Sequence, residues 1–301
     1  MTARLPQTIL EMILLQLNLV RRGGPFSSAE HYGGTLMNSK SAKAILVVSF
    51  GTSFEHSRKA SIDAIETKIR KSFPDYAIYL AWTSRHIIQK LKQRDGIHVD
   101  TVPEALRRMA SDGIRHVFVQ PTHIINGIEN EAMTAEILSE KDAFDSVRFG
   151  KPLLTGTEDL DAAVQLLADS FLPVEPDRMV VFMGHGTTHY ANFVYDALNC
   201  RFLDMGYEQF LIGTVEGYPD IDTVLRRLKK KQPARITLAP FMIVAGDHAV
   251  NDMAGAEEGS WRNLLEKAGY EVDIVLKGLG EYPEIQDMFA DHIRSALKST
   301  R

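Results

Sequence analysis

MVVFMGHGTTHY, residues 179–190, changes character halfway along. An apolar run from Met179 to Met183 stops abruptly at Gly184-His185-Gly186-Thr187-Thr188. Adjacent valines in a short apolar run read as a strand buried on both faces, as in a parallel sheet. The glycines suit a tight turn, and the threonines can cap a following helix. His185 therefore sits in the loop leaving the carboxyl end of a strand, which is where open α/β sheets bind ligands. Its two glycine neighbours put little bulk around it, so something large and flat can approach.

Working outward, the same unit recurs. In the second half, strands are expected at about 209–213, 236–239 and 272–276. Helices are expected over about 159–171, 190–205, 219–230, 253–268 and 285–297. In the first half, strands are expected at 44–48, 77–82 and 116–120, closed in the last case by Pro121. Helices are expected over 57–73 and 84–91, from Thr101 to about Ser111 behind a capping-box match, and after a polar loop from His123 to Glu131. VVSFGTS (47–53) parallels VVFMGHGTT (180–188), with Phe50-Gly51-Thr52 under His185-Gly186-Thr187. VFVQPTHIINGIEN (117–130) parallels ITLAPFMIVAGDHAVN (236–251). Alternating strands and helices imply parallel sheets with right-handed crossovers. The expected fold class is α/β: two similar α/β domains, each a parallel sheet flanked by helices, facing each other across a cleft. Residues 1–42 read as an extension or linker, 43–150 as the first domain and 151–301 as the second.

Composition narrows the function. A formal net charge of −5 argues against a general nucleic-acid binder. One cysteine, Cys200, cannot form an internal disulfide, a cysteine-based zinc site or an iron–sulfur cluster by itself. That fits a reducing compartment and a cytoplasmic location. No apolar run is long enough to span a bilayer. Residues 9–20, ILEMILLQLNLV, are apolar but broken by Glu11, Gln16 and Asn18, and the basic pair Arg21-Arg22 follows the run instead of preceding it. The expectation is a helical or irregular extension; a signal over 1–22 and periplasmic export is the alternative. Met37 is an alternative start.

Three strand-to-helix loops of the second half carry a metal-ligating residue at matching depth. His185, Glu216 and His248 follow one another at intervals of 31 and 32 residues. If their strands are neighbours, they converge on one rim of one sheet. Two imidazoles and a carboxylate suit a divalent first-row transition metal with open positions for a substrate. The ordinary reading stays beside it: two loop histidines bonded to backbone, and a carboxylate at a helix N-terminus.

Several motifs in order then resemble a known family. LVVSFGTSF, QPTHIINGIE, MGHGTTH, GTVEGYP and LAPFMIVAGDHAVNDMAG are similar to the anaerobic sirohydrochlorin cobaltochelatases of the CbiK type, class II chelatases whose fold resembles ferrochelatase. The resemblance spans about residues 43–299. It implies a His-Glu-His metal set at His185, Glu216 and His248, and insertion of Co2+ into sirohydrochlorin in cobalamin biosynthesis, without ATP or an organic cofactor. Chelatases of this class are often oligomeric, and the sequence shows no partner face. Iron or nickel as the metal is the alternative within this class, since the ligand set does not separate Co2+ from Fe2+ or Ni2+. A non-catalytic tetrapyrrole or metal carrier is the alternative of another class. A metal-dependent hydrolase lacks a motif for a second base or metal.

Metallation removes two pyrrole N–H protons, and histidine is a natural acceptor. His185 is expected to act as ligand and proton acceptor, Glu216 as ligand and proton conduit, and His248 as third ligand. The flat ring is expected against Phe50 and Met242 or Met183. Its carboxylates are expected near Ser49, Thr52, Ser53 and the helix start after them, with Arg58 and Arg85 as further candidates. His123 and Glu129 are expected to line the cleft, with purely structural roles as the alternative, and His189 to lie behind the ligands or at the surface. Trp82 and Trp261 read as core or rim packing, and Lys229 to Lys231 as a solvated helix end.

Overall fold

One strand order occurs twice. The computed structural model describes residues 42–298, so the extension and its signal-like run lie outside the described residues. The first sheet contains β1 (Lys43–Ser49), β2 (Ala77–Trp82), β3 (His116–Pro121) and β4 (Ser146–Phe149) in the order β2-β1-β3-β4. The second contains β5 (Arg178–Gly184), β6 (Phe210–Thr214), β7 (Arg235–Phe241) and β8 (Glu271–Ile274) in the order β6-β5-β7-β8. All pairings are parallel. The apolar runs at 44–48 and 179–183 become the inner strands β1 and β5, buried on both faces.

Helices fill the crossovers. They are α1 (Glu55–Ser72), α2 (Arg85–Asp95), α3 (Val102–Ser111), α4 (Ile128–Ser139) and α5 (Thr157–Phe171) before the second sheet, then α6 (Phe193–Asp204), α7 (Ile221–Lys231), α8 (Trp261–Lys267) and α9 (Pro283–Lys298). The capping box at the start of α3 forms as read: the Thr101 N–H donates to Glu104 Oε2 at 2.8 Å, and the Glu104 N–H donates back to Thr101 Oγ1 at 3.4 Å. Thr101→Ala is expected to cost about 1 kcal/mol, measured as the shift of a thermal unfolding midpoint.

Some elements differ from the sequence reading. β4 was not expected; its four residues are all half-buried and include Arg148, so the apolar signal of an edge strand is weak. α4 begins at Ile128, which places Glu129 and Glu131 in a helical first turn instead of a loop. The helix expected over 253–268 is a π turn at Ala249–Met253, an irregular stretch with Gly255 and Gly259, and the short α8. Pro121 ends β3 as its last residue, whereas Pro240 lies inside β7, one residue before its end. The pairing of β7 with β8 ends at Leu238 and Ile274, so Pro240 lacks an N–H where that neighbour has already stopped.

The largest buried cluster joins the two halves. Ile65 and Ile69 of α1 share it with Phe182, Tyr195, Phe289 and Ile293. The terminal helix α9 belongs to the second half by sequence, yet it packs on α1, with a Lys68–Asp287 ion pair beside the contact. The halves are thereby fixed against each other around one core. Trp82 and Trp261 are buried, as expected for packing residues.

Candidate metal centre

The order β6-β5-β7 puts three strand ends side by side. His185 follows β5 directly, Glu216 lies just beyond β6, and His248 ends the loop after β7 and opens the π turn. Two backbone bonds tie the first two loops together: Val215 N–H to the Gly184 carbonyl at 3.0 Å and Glu216 N–H to the His185 carbonyl at 2.8 Å. One ligand atom from each of His185, Glu216 and His248 falls within 4.8 Å of the others. His185 Nδ1 is 3.8 Å from Glu216 Oε2, and the two imidazole rings meet edge to face with centroids 4.7 Å apart. The convergence expected from the spacing is therefore present.

Hydrogen bonds set the histidine tautomers. His185 Nδ1 lies 2.9 Å from the Gly186 carbonyl, which can only accept, so Nδ1 carries the proton and Nε2 keeps its lone pair. His248 Nδ1 lies 2.6 Å from Asp252 Oδ2, which fixes the same tautomer. The side chains of His185, Glu216 and His248 are 44%, 55% and 36% exposed, so a metal can enter and leave from solvent.

Asp252 is a residue that the sequence reading missed. It orients His248 from one turn further along, as carboxylates do behind metal-binding imidazoles. The signal was available as a His-x-x-x-Asp spacing at the start of a helical segment. Asp252→Asn is expected to weaken Co2+ binding by roughly tenfold or more, read by titration calorimetry.

A second group among the described residues, His98, Asp100 and Glu104, also brings ligand atoms together. Its groups are already engaged. Arg108 Nη2 stands 2.5 Å from Asp100 Oδ2, and Glu104 Oε2 accepts from both the N–H and the hydroxyl of Thr101. A guanidinium beside the buried carboxylate opposes a second cation there. Among the described residues, the His185 group has no such competitor.

A family model described as cobalt chelatase (CbiK) matches residues 43–298. This chain belongs to the cobalt chelatase (CbiK) family. Among curated relatives, the sirohydrochlorin cobaltochelatase of Salmonella typhimurium is 39% identical over 255 residues, covering 85% of this chain and 96% of the relative. The sirohydrochlorin cobaltochelatase CbiKC of Nitratidesulfovibrio vulgaris is 33% identical over 262 residues, covering 85% and 91%. In fold, the chain is similar to SirB from Bacillus subtilis with Fe3+, at TM-score 0.60 and 16% identity, with 85% of this chain and 96% of SirB covered. The chain is thus a chelatase with two parallel-sheet α/β units.

In this cobalt chelatase the expected substrate contacts divide. Phe50 is 45% exposed just past β1, open to a flat ligand. Glu129 is exposed on the first turn of α4. Ser49 does not face a ligand: it is buried, and its Oγ accepts from the Thr122 hydroxyl at 2.9 Å. Met242 is also corrected. Only 9% exposed, it packs with Met183 inside the second-half core and offers little surface to a ring. Thr52 is buried too; its Oγ1 accepts from the Phe54 N–H at 3.2 Å and faces Gly246 of the His248 loop. Ser53 is buried, and its carbonyl accepts from Arg94. Arg58 is buried with Asp63 3.7 Å away and does not stand ready for a substrate carboxylate; Arg85 is exposed and pairs with Glu136 at 3.1 Å, a surface contact that a ligand can replace.

The remaining histidines hold the frame. Loss of hydration in its buried setting pulls the His123 imidazole down to about 4, with the Asn130 side chain opposing, so it is neutral near pH 7 and offers no charge to an anion. His189 Nδ1 accepts from the Ala191 N–H at 3.2 Å, and its Nε2 lies 3.2 Å from Glu131 Oε1 on α4. That pair reaches from the second half to the first beside the metal loops. On the other side, Ser57 of α1 donates to the Ala245 carbonyl at 2.8 Å, seating the His248 loop on the first half.

Among the described residues no helix is long and apolar enough to cross a membrane.

Proposed function

We propose that this chain inserts Co2+ into sirohydrochlorin at the His185–Glu216–His248 centre, without ATP. The observation that carries this reading is the convergence of those three groups in a chain of the cobalt chelatase family. The curated relatives named as sirohydrochlorin cobaltochelatases support the choice of ring and metal. A cytoplasmic site of reaction accords with the single cysteine.

The reaction exchanges two pyrrole N–H protons for one divalent metal. Neutral imidazole and carboxylate ligands hold Co2+ without the tight grip of thiolates, so ring nitrogens can take it over. The Nε2 lone pair of His185, released as the metal leaves, accepts the two pyrrole protons one after the other. Glu216 takes each proton onward to solvent, to which its side chain is open. Phe50 supplies an apolar surface beside the ring, since an exposed aromatic gains contact area when a flat π system covers it.

An absorbance time course with sirohydrochlorin and Co2+, run beside Fe2+ and Ni2+, tests the reading. Protein-dependent conversion with cobalt, faster than the uncatalysed reaction, is the expected result. A stable ring complex with no acceleration would make the chain a carrier. Faster turnover with iron or nickel would move the assignment to that metal.

A further inference from the structure

Asn192 occupies the position before α6, where an asparagine ordinarily caps its own helix. It does not do so here. Its Oδ1 accepts from the Thr187 N–H at 2.9 Å, in the loop that carries His185. Its Nδ2 donates to the Tyr218 carbonyl at 2.5 Å, in the loop that carries Glu216. One amide orientation satisfies both bonds, because the backbone offers a donor on one side and an acceptor on the other. The fit is close: a Cβ built on Gly217 would lie 2.4 Å from Asn192 Oδ1.

We propose that Asn192 is a positioning residue that sets the separation of His185 and Glu216 and so tunes the metal's grip and release. This rests on the chelatase reading of the His185 centre. The two ligand loops are otherwise joined by backbone bonds at their bases, 184–215 and 185–216. Thr187 and Tyr218 lie further out, each two residues beyond its ligand. Asn192 therefore joins the two loops at their outer end; the Thr214 N–H to Pro219 carbonyl bond at 2.6 Å closes the Glu216 loop on itself but does not reach the His185 loop. Metal centres are sensitive to such support, because a ligand displaced by a fraction of an ångström binds less well and transfers its metal from the wrong place.

The test measures Co2+ binding by calorimetry on full-length protein, together with steady-state insertion. Asn192→Leu removes both bonds at similar volume and is expected to raise the Co2+ dissociation constant by about tenfold and to lower kcat. KM for sirohydrochlorin is expected to stay within about twofold, since the ring does not depend on this amide. Asn192→Asp keeps the acceptor toward Thr187 and loses the donor toward Tyr218, and should fall between. Gly217→Ala drives a methyl group against the clamp from the other loop. The Asn192→Ala, Gly217→Ala double variant should bind Co2+ no more weakly than Asn192→Ala alone, because the amide that the methyl group displaces is already gone. This cycle decides the matter even if Asn192→Leu fails to fold. Unchanged Co2+ affinity and kcat in Asn192→Leu and Gly217→Ala would overturn the proposal, as would losses in Asn192→Ala and Gly217→Ala that add in full in the double variant. A His185→Ala control that binds Co2+ as tightly as the unaltered protein would instead overturn the site reading itself.

Discussion

Cobalt insertion by His185→Ala is expected to fall by roughly 10³-fold in kcat/KM, while the thermal midpoint stays close to that of the unaltered protein. The two parts separate cause from collateral damage. His185 leaves the core at the end of β5 and is 44% exposed, so truncating it opens no buried cavity. Its imidazole bonds to the adjacent Gly186 carbonyl, which solvent can replace. The activity loss combines a missing metal ligand with a missing proton acceptor. Glu216→Ala, which removes a ligand but leaves His185 to take the proton, should lose less, on the order of 10²-fold. Insertion rates from absorbance, with Co2+ affinity from calorimetry, distinguish the roles. Equal losses in the two variants would show that His185 is a ligand only. Intact insertion in His185→Ala would remove the assignment altogether.

The sequence carries the architecture because inner parallel strands are apolar on both faces. The runs at 44–48 and 179–183 have no other reading once turn residues close them. The convergence of His185, Glu216 and His248 was legible for a related reason: in repeated strand-loop-helix units, equivalent loops lie along one rim, so matching depth in sequence becomes proximity in space. Side chains that depend on a neighbour's identity were not legible. Ser49 looked like a polar loop residue, but Thr122 reaches it from the end of β3 and takes its hydroxyl. Met242 lies one residue beyond Phe241 at the end of β7, and both pack into core clusters, Phe241 in the one shared by the halves and Met242 in that of the second half. Asn192 has no spacing signature at all, since its partners come from two loops that only the fold brings together. The break between Met253 and Trp261 was signalled by Gly255 and Gly259, but the apolar pattern across it favoured a continuous helix.

Gly186→Ala is expected to cost both stability and metal, whereas Gly51→Ala, at the matching place in the first half, should cost stability alone. Both glycines follow an inner strand with positive φ, +81° and +100°. That conformation costs an L-residue about 1 kcal/mol. Gly206 provides the baseline: its φ is +83° and nothing stands within 4 Å of an added Cβ, so Gly206→Ala should show the backbone cost by itself. At Gly51 the added methyl would meet the buried Trp82 ring at 2.5 Å, a clash inside the first-half core. At Gly186 it would meet the Gly217 backbone nitrogen at 2.6 Å and Thr214 Cβ at 2.7 Å. Neither is the far end of a flexible side chain, so the loop holding Glu216 must move as a whole. Overpacking of this kind adds about 1–3 kcal/mol to the baseline in both variants. Only at Gly186 does the displaced backbone carry a metal ligand. Thermal midpoints should therefore fall below that of Gly206→Ala for both, while Co2+ affinity falls by about tenfold or more for Gly186→Ala and stays unchanged for Gly51→Ala. Equal Co2+ affinities in the two would show that the close approach of Gly186 to Gly217 does not position Glu216.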